Sequence, residues 1–573
     1  MSYDLSFIKR IFSSKYTLSL VILMASVGVY LNTLPNDFIF DDKVQLLRNP
    51  WIKDVKYIPD IFLSDVWGFA GFKGASNHYR PMMYLLYMAD YHIFGFKPWG
   101  FHLTNIIFHA GVSVLVFFVA TILLTQQIAI TSGFPASERL ESEQALPNSS
   151  TLMFAFIAAL LFATHPIHTE VVAWIGAIPE LLFTFFYLIS LYWYIKADKP
   201  LSIAHLLSVA FFSISTLCKE TTLTLPLILL AYDYSFRKNL FRISLQNLAP
   251  LIKRYMPYLL VAVAYLIFRN YAIGGFAPAK EHANLSDYQY FINIFPLFAQ
   301  YLEKLFFPIN LNAFYTFNPI SSILELEGIL ALIITFSFIT LVYMFRRNRL
   351  IFFCLLWITI PLLPVLYIPA LTSNPFTERY LYLPSVGFVI MASFAVNATY
   401  KIKVMGQAVT IMVILTVTAL TGLYSAGTIK RNYVWRDEFT LWTDTVKKSP
   451  DSYAPHLGLG KIYYEKGLID KAVEHFEIAL RLRPNFPVIH RDLGTAYLTK
   501  GFIDKAIEHY QIAVSLMPNY PDAHNDLGNA YRAKGLLDKA VRRYQTALML
   551  RPNFPEARDN LQEILEKEAN ERK

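Results

Sequence analysis

Cysteine is nearly absent. There are two in 573 residues, Cys218 and Cys354, both inside apolar stretches. Two such residues give neither a disulfide framework nor a Cys-ligated zinc site. Charge is also scarce: Asp, Glu, Lys and Arg make up 16% of the chain, where a soluble domain carries about a quarter. In their place, 55% of residues are hydrophobic and 16% aromatic. That much apolar surface exceeds what a globular core can bury, so a bilayer is the expected solvent. The net charge of +9 is not spread as a nucleic-acid footprint; it lies in short Lys/Arg clusters between apolar runs, as in membrane proteins. No small-residue cleavage site follows the first apolar run, which reads as a retained helix.

A membrane-crossing helix needs about 17–25 apolar residues. Candidate spans fall at 16–34, 103–125, 151–164, 178–196, 203–217, 221–236, 255–271, 326–345, 350–369, 383–398 and 407–427, about eleven in all. The run 291–307 is broken by Pro296 and Pro308 and reads as an in-plane helix or an extra span. Lys9, Arg10, Lys15, Arg237, Lys238, Arg242, Lys253, Arg254, Arg346, Arg347, Arg349, Lys401 and Lys403 then fall on one face, the cytoplasmic one by the positive-inside rule. The loop 126–150 fits this least well, with Arg139 as its one basic residue. The C-terminal region is expected on the other face, periplasmic or lumenal.

That region repeats. Pro450, Pro484, Pro518 and Pro552 are 34 residues apart, and Gly460, Tyr463, Gly467, Ala472 and Ala479 recur with the same period. A 34-residue period of small, aromatic and proline positions is the tetratricopeptide (TPR) signature. The chain therefore reads as all-α: a transmembrane helical bundle over 1–430, then a TPR solenoid over 431–573. The solenoid comprises a half repeat with Trp442 in register with Phe476, three full repeats and a capping helix. Lys461, Arg491, Asn525 and Asn529 occupy groove positions, where a protein or peptide would bind; they also fit plain solvated helix positions.

Ionisable residues at membrane depth are costly and usually functional. Five clusters stand out: Asp41-Asp42; His78 and Arg80, with His102 and His109 beyond; His165, His168, Glu170 and Glu180; Lys219-Glu220; and Glu378-Arg379. The span count puts all five on the outer face. One crevice holding carboxylates, arginines, a lysine and histidines suits an anionic substrate and a general base. Arg80, Lys219, Arg379, His165 and His168 are candidate phosphate ligands. His78, Glu170, Glu180, Glu220 and Glu378 complete the candidate set. Structural readings stand beside these: Asp41 and Asp42 as turn caps, Lys219 and Glu220 as a mutual pair, Glu378 and Arg379 as a loop anchor, Tyr380 and Tyr382 as an interfacial belt. The HxxHxE spacing at 165–170 is weak for a metal, so no metal and no cofactor is expected, a divalent ion being the lesser alternative.

The ordered set DD, HYRP, FHLTNIIFH, HPIHTE, KET, ERYLYLPSVGF, RNYVWRDEFTLW and then TPRs resembles the transmembrane and TPR-containing (TMTC) family over nearly the whole chain. The resemblance implies a GT-C-type glycosyltransferase related to protein O-mannosyltransferases, a polyprenyl-phosphate-linked sugar donor, and inverting transfer to a Ser/Thr hydroxyl. It places the catalytic carboxylate at Asp41, with Asp42 beside it. Three full repeats, fewer than animal members carry, point to a prokaryotic relative in a bacterial inner membrane, the ER membrane being the eukaryotic counterpart. Two other functions fit the same residues: a TPR membrane scaffold without enzymatic activity, and a lipid-linked oligosaccharide polymerase or ligase.

Overall fold

The computed structural model describes residues 14–70, 77–131, 149–237, 245–275, 285–370, 375–400 and 406–571. Lys9, Arg10, Arg139, Lys238, Arg242, Lys401 and Lys403 lie outside them. Among the described residues the regular structure is helical. The chain divides into two compact units: residues 1–313 with 317–437, and 314–316 with 438–573. The division falls after Asp437 rather than at 430.

Among the described residues the first unit has thirteen principal helices: α1 (Lys15–Gly28), α2 (Pro81–Phe94), α3 (Pro98–Thr131), α4 (Ser149–Thr164), α5 (Ile178–Lys196), α6 (Ile203–Thr216), α7 (Leu225–Phe236), α8 (Leu245–Ile273), α9 (Ile294–Phe306), α10 (Leu326–Met344), α11 (Arg349–Thr359), α12 (Pro384–Tyr400) and α13 (Gly406–Asn432). Short helical turns join them. α1, α3, α4 and α12 pack together around Val112, Val116, Ala155, Phe162 and Val386, all at most 1% exposed. By length and apolarity six described helices can cross a membrane, seven counting the bent pair Ser149–Thr164 and Pro166–Ala173. That is fewer than the eleven expected, because segments such as α6 are only 14 residues long. α9 has 13 residues, with Leu297, Phe298, Tyr301, Leu302 and Leu305 buried and Glu303 and Phe306 exposed. At that length it is shorter than a membrane crossing needs.

The second unit is α14 (Glu438–Lys448) followed by three hairpins and a final helix: α15 (Tyr453–Glu465) with α16 (Ile469–Leu482), α17 (Pro487–Thr499) with α18 (Ile503–Leu516), α19 (Pro521–Ala533) with α20 (Leu537–Leu550), and α21 (Pro555–Glu571). The period has a steric cause. A Cβ on Gly460, Gly494 or Gly528 would meet the ring of Phe476, Tyr510 or Tyr544 at 2.5, 3.0 or 2.6 Å, so glycine lets each hairpin close. Gly467, Gly501 and Gly535 end the first helices at φ +74°, +81° and +78°, the left-handed cap that glycine adopts without strain. The tyrosine wedge joins successive hairpins: Tyr497 OH donates to Glu477 at 2.8 Å, and Gln511 donates to Tyr531 OH at 2.9 Å. Trp442 lies over Gly458, completing the half repeat.

Histidine recurs too. His456, His490 and His524 each donate Nε2–H to a proline carbonyl six residues back, at 3.1, 2.9 and 2.9 Å. His456 and His490 also meet His475 and His509, Nδ1 to Nδ1 at 3.1 Å, one ring nitrogen donating and the other accepting. Burial holds His456, His475, His509 and His524 below the usual imidazole range. A depressed histidine stabilises the fold above its unfolded value, about 6.5, and loses that contribution as pH falls through the folded value. Hydrogen exchange on the intact protein is therefore expected to show the repeat unit less protected at pH 5.5 than at pH 7.5. Equal protection at both would contradict it.

Candidate functional site

The acidic pair sits on a pinned turn. After α1 the chain is tied to the end of α13: Asn432 Nδ2 donates to the Val29 carbonyl at 2.9 Å, Asn36 Nδ2 to that of Trp435 at 3.1 Å, and the Asp37 amide to that of Arg436 at 2.9 Å. The turn then closes on itself. Asp42 N donates to Ile39 O at 3.0 Å, and Asp42 Oδ2 accepts from Ile39 N at 3.2 Å. Phe40 between them has φ +52°, a left-handed value that is strained for an aromatic residue and typical of functional sites.

The two aspartates end up in different environments. Asp42 is 1% exposed, and burial drives its carboxyl well above the usual range, against the lowering effect of the Ile39 amide. Asp41 is partly exposed; burial raises it to about 6, opposed by the Arg379 guanidinium. Near neutral pH Asp41 is therefore mainly a carboxylate, whereas burial pushes the Asp42 carboxyl well above the usual range.

From Asp41 the network runs through Arg379. Its Nη1 donates to Glu170 Oε1 at 2.7 Å, its amide to Glu170 Oε2 at 3.1 Å, and its Nε stands 3.5 Å from Glu180 Oε1. Lys219 Nζ meets the same Glu180 oxygen at 2.7 Å, with both side chains 2% exposed. Arg80 donates to Glu220 at 3.2 Å and contacts His78 Nδ1 at 3.2 Å. Burial pushes the Glu220 carboxyl up, but Arg80, His78 and Lys219 more than offset it, leaving it below the usual range. Arg379 stands 5.5 Å and 5.4 Å from the ring centres of Trp174 and Tyr380, and Lys219 4.6 Å from that of Tyr380. A small cavity opens between Phe183, Lys219, Thr221, Pro361, Val365, Arg379, Tyr380 and Leu383.

Five segments far apart in sequence thus meet: residues 41–42, 78–80, 170–180, 219–220 and 379. The cations are not free clamps. Arg80, Lys219 and Arg379 are each already paired with a carboxylate, so an incoming phosphate shares them with Glu170, Glu180 and Glu220.

Other candidates are placed elsewhere. Glu378 is fully buried in a clasp: Arg431 Nη2 donates to both its oxygens, at 2.9 and 3.0 Å, and Asn312 N to Oε1 at 2.6 Å. It is the loop anchor. His165 and His168 are fully buried in an aromatic cluster with Phe162, Tyr382, Phe388 and Tyr424; His168 Nε2 meets Ser385 Oγ at 2.9 Å, and His165 Nδ1 accepts from Ile167 N at 3.3 Å. We assign both to the core rather than to phosphate binding, because aromatic rings fill their surroundings. His109 belongs to the same cluster, its Nδ1 2.8 Å from Tyr382 OH, while His102 lies near the backbone of Asn36 and Asp37. Tyr382, 1% exposed, is therefore core and not belt, and Tyr380 covers the ion network. Among the described residues no three His, Cys, Asp or Glu side chains are grouped as they would be around a metal ion.

On the repeats, Lys461 pairs with Asp492 at 3.3 Å and Arg491 with Asp526 at 2.6 Å. Asn525 accepts from Asn560 at 3.2 Å, and Asn529 from Tyr544 at 2.8 Å. All four link neighbouring helices of the array.

Trp174 escaped the sequence reading, since an indole carries no charge to flag it. It faces Phe40 (5.8 Å between ring centres), stacks on Trp435 (6.1 Å, 18°) and lowers the Asp42 carboxyl. A Cβ on Gly176 would meet its indole at 2.7–2.9 Å. Gly176→Ala is therefore expected to cost about 1–3 kcal/mol through overpacking, read as a lower melting temperature. An unchanged melting temperature would show that the indole can move freely.

A TPR repeat family profile matches residues 460–501, 496–535 and 528–567. A Caenorhabditis elegans protein O-mannosyl-transferase is 28% identical over 82% of this chain and 63% of its own length, and human protein O-mannosyl-transferase TMTC4 is 26% identical over 80% and 65%. Human protein O-mannosyl-transferase TMTC3 is 25% identical over 80% of this chain and 50% of its own length. The chain spans about two thirds or less of the length of these TMTC relatives. Among solved structures, the first TPR domain of Spaghetti (RPAP3) bound to an HSP90 peptide is 26% identical, covering 21% of this chain and 94% of that one, with a TM-score of 0.20.

Proposed function

We propose that this TMTC homologue is a membrane glycosyltransferase. It moves a sugar, mannose-like, from a polyprenyl-phosphate donor to a Ser or Thr hydroxyl of a protein acceptor presented by the TPR array. The observation that carries this reading is a partly exposed carboxylate, Asp41, held on a strained turn beside the Arg379–Glu170–Glu180–Lys219 network. The names of the relatives support the reaction class.

Asp41 accepts the acceptor proton as general base while the hydroxyl oxygen attacks the anomeric carbon from the face opposite the phosphate, inverting it. The C–O bond to the polyprenyl phosphate breaks through an oxocarbenium-like transition state. The departing phosphate gains one negative charge. Arg379 and Lys219, already held by Glu170 and Glu180, are the nearest cations to receive it, with Arg80 beyond. Asp42, buried and turned back onto Ile39 N, positions Asp41. The lipid tail stays between the helices, and the site and repeats face the periplasm or ER lumen.

The test is sugar transfer by purified protein in nanodiscs, with radiolabelled polyprenyl-phosphate mannose, then other sugars, and an envelope-protein extract. Label entering protein with the wild type and not with an Asp41→Asn, Asp42→Asn variant supports the assignment. A folded wild type that captures envelope proteins but transfers no sugar points to a scaffold. Label entering glycan instead of protein points to a polymerase or ligase.

A further inference from the structure

A second buried polar cluster lies at the other end of the same helices. Glu180, in the first turn of α5, and Tyr194, in its last, are 14 residues apart, about 21 Å along an α-helix. There Asp233, fully buried, accepts from Tyr194 OH at 2.5 Å and Tyr255 OH at 2.8 Å, and stands 3.4 Å from Arg237 Nη1. Arg237 Nη2 donates to the carbonyls of Ile195 at 2.8 Å and Ala197 at 3.2 Å, the groups that the end of α5 leaves open. Asp233 and Arg237 are thus both engaged.

Arg254 is not. It is 4% exposed, its guanidinium stands 5.4 Å from the Tyr194 ring centre, and its Nη1 is buried without a hydrogen-bond partner among the described residues. A buried guanidinium with an open N–H is costly unless an anion completes it. The cluster supplies two arginines to one aspartate, and Lys196, Lys199 and Lys253, close to its members in sequence, are exposed, as is Asp198. This is the basic end of the bundle, which the positive-inside rule assigns to the leaflet rich in anionic headgroups.

We propose that Arg254 receives the phosphate of an anionic phospholipid headgroup. A planar fork suits a phosphodiester oxygen. A lipid is favoured over free phosphate by the rest of α8. Its span from Ala249 to Ile273 is only 17% buried, and Ile252, Leu259, Val263 and Ile267 are exposed beside and beyond Arg254, where acyl chains would lie. Lipid at this end also bears on the other. Arg269, near the far end of α8, donates to the carbonyl and the side-chain oxygen of Asn77, both at 2.9 Å, and Tyr265 lies 6.0 Å from Tyr79. The headgroup therefore helps to fix the helix against which the His78–Arg80 segment rests.

Native mass spectrometry of the full chain tests this, with phosphatidylglycerol and phosphatidylcholine of identical acyl chains titrated in detergent. Phosphatidylglycerol is expected to bind about tenfold more tightly, because the choline cation of phosphatidylcholine neutralises the phosphate that Arg254 would pair with. Arg254→Gln should abolish the preference, and Arg254→Lys should keep part of it; if the glutamine variant does not fold, the lysine variant decides. Equal binding of the two lipids, or a preference undiminished in the variants, overturns the proposal. Inorganic phosphate competing away the bound lipid at millimolar concentration, or raising the melting temperature as much as phosphatidylglycerol does, assigns the site to free phosphate and overturns it as well.

Discussion

Asp41→Asn is expected to slow sugar transfer about 10²–10⁴-fold, the usual contribution of a positioned general base, without loss of stability. The asparagine matches the carboxylate in size and faces a partly open site, so no core packing is lost. Asp42→Asn should differ. Asp42 Oδ2 holds the Ile39 amide inside the strained turn, and a misoriented amide there would present a donor to a donor. That variant should therefore lose stability as well as activity. The pH profile gives an independent check. With Asp41 raised to about 6, the transfer rate should fall tenfold per unit below that value and level off above it. The same shift opposes stability: a carboxyl raised on folding favours the fold most below its unfolded value of about 3.9, and that contribution disappears as pH rises through about 6. Activity should thus rise with pH over the window in which this one contribution to stability declines. A pH-rate profile flat from 5 to 8, or an active Asp41→Asn protein, would remove Asp41 from the mechanism.

Arg431→Met is expected to destabilise the first unit by about 3–5 kcal/mol, because it leaves Glu378 buried without its countercharge. Glu378 is fully buried and Arg431 8% exposed, so solvent cannot replace the lost partner. Adding Glu378→Leu should restore most of the stability, since a buried ion pair replaced whole by apolar side chains is often neutral. Thermal unfolding of the two single variants and the double variant checks this. Three equal melting temperatures would show that the clasp contributes nothing. Loss of transfer in the double variant despite restored stability would return Glu378 to the site. The clasp ties the segment carrying Arg379 to the end of α13, to which the Asp41 turn is also pinned. Its role is to hold the two halves of the site in register.

Much of the architecture was legible from residue order. Apolar runs, their basic flanks and the 34-residue period announce membrane helices and repeats, because solvent and hairpin packing act on residues spaced by local geometry. The five polar clusters were also visible, each being costly at membrane depth. Their division of labour was not. His165 and Arg379 look equally functional as letters; the fold surrounds one with aromatic rings and sets the other against Glu170. Trp174 gave no signal at all, because its importance lies in what it touches.

The sequence by itself determined the helices, the repeat register and the short list of polar residues, since periodicity and transfer free energy are local properties. Only the tertiary structure decided that Asp42 is buried while Asp41 stays partly exposed, that Arg80, Lys219 and Arg379 arrive already paired, and that Glu378 is a clasp. Burial and partnership depend on which distant segments meet, and no spacing along the chain encodes that.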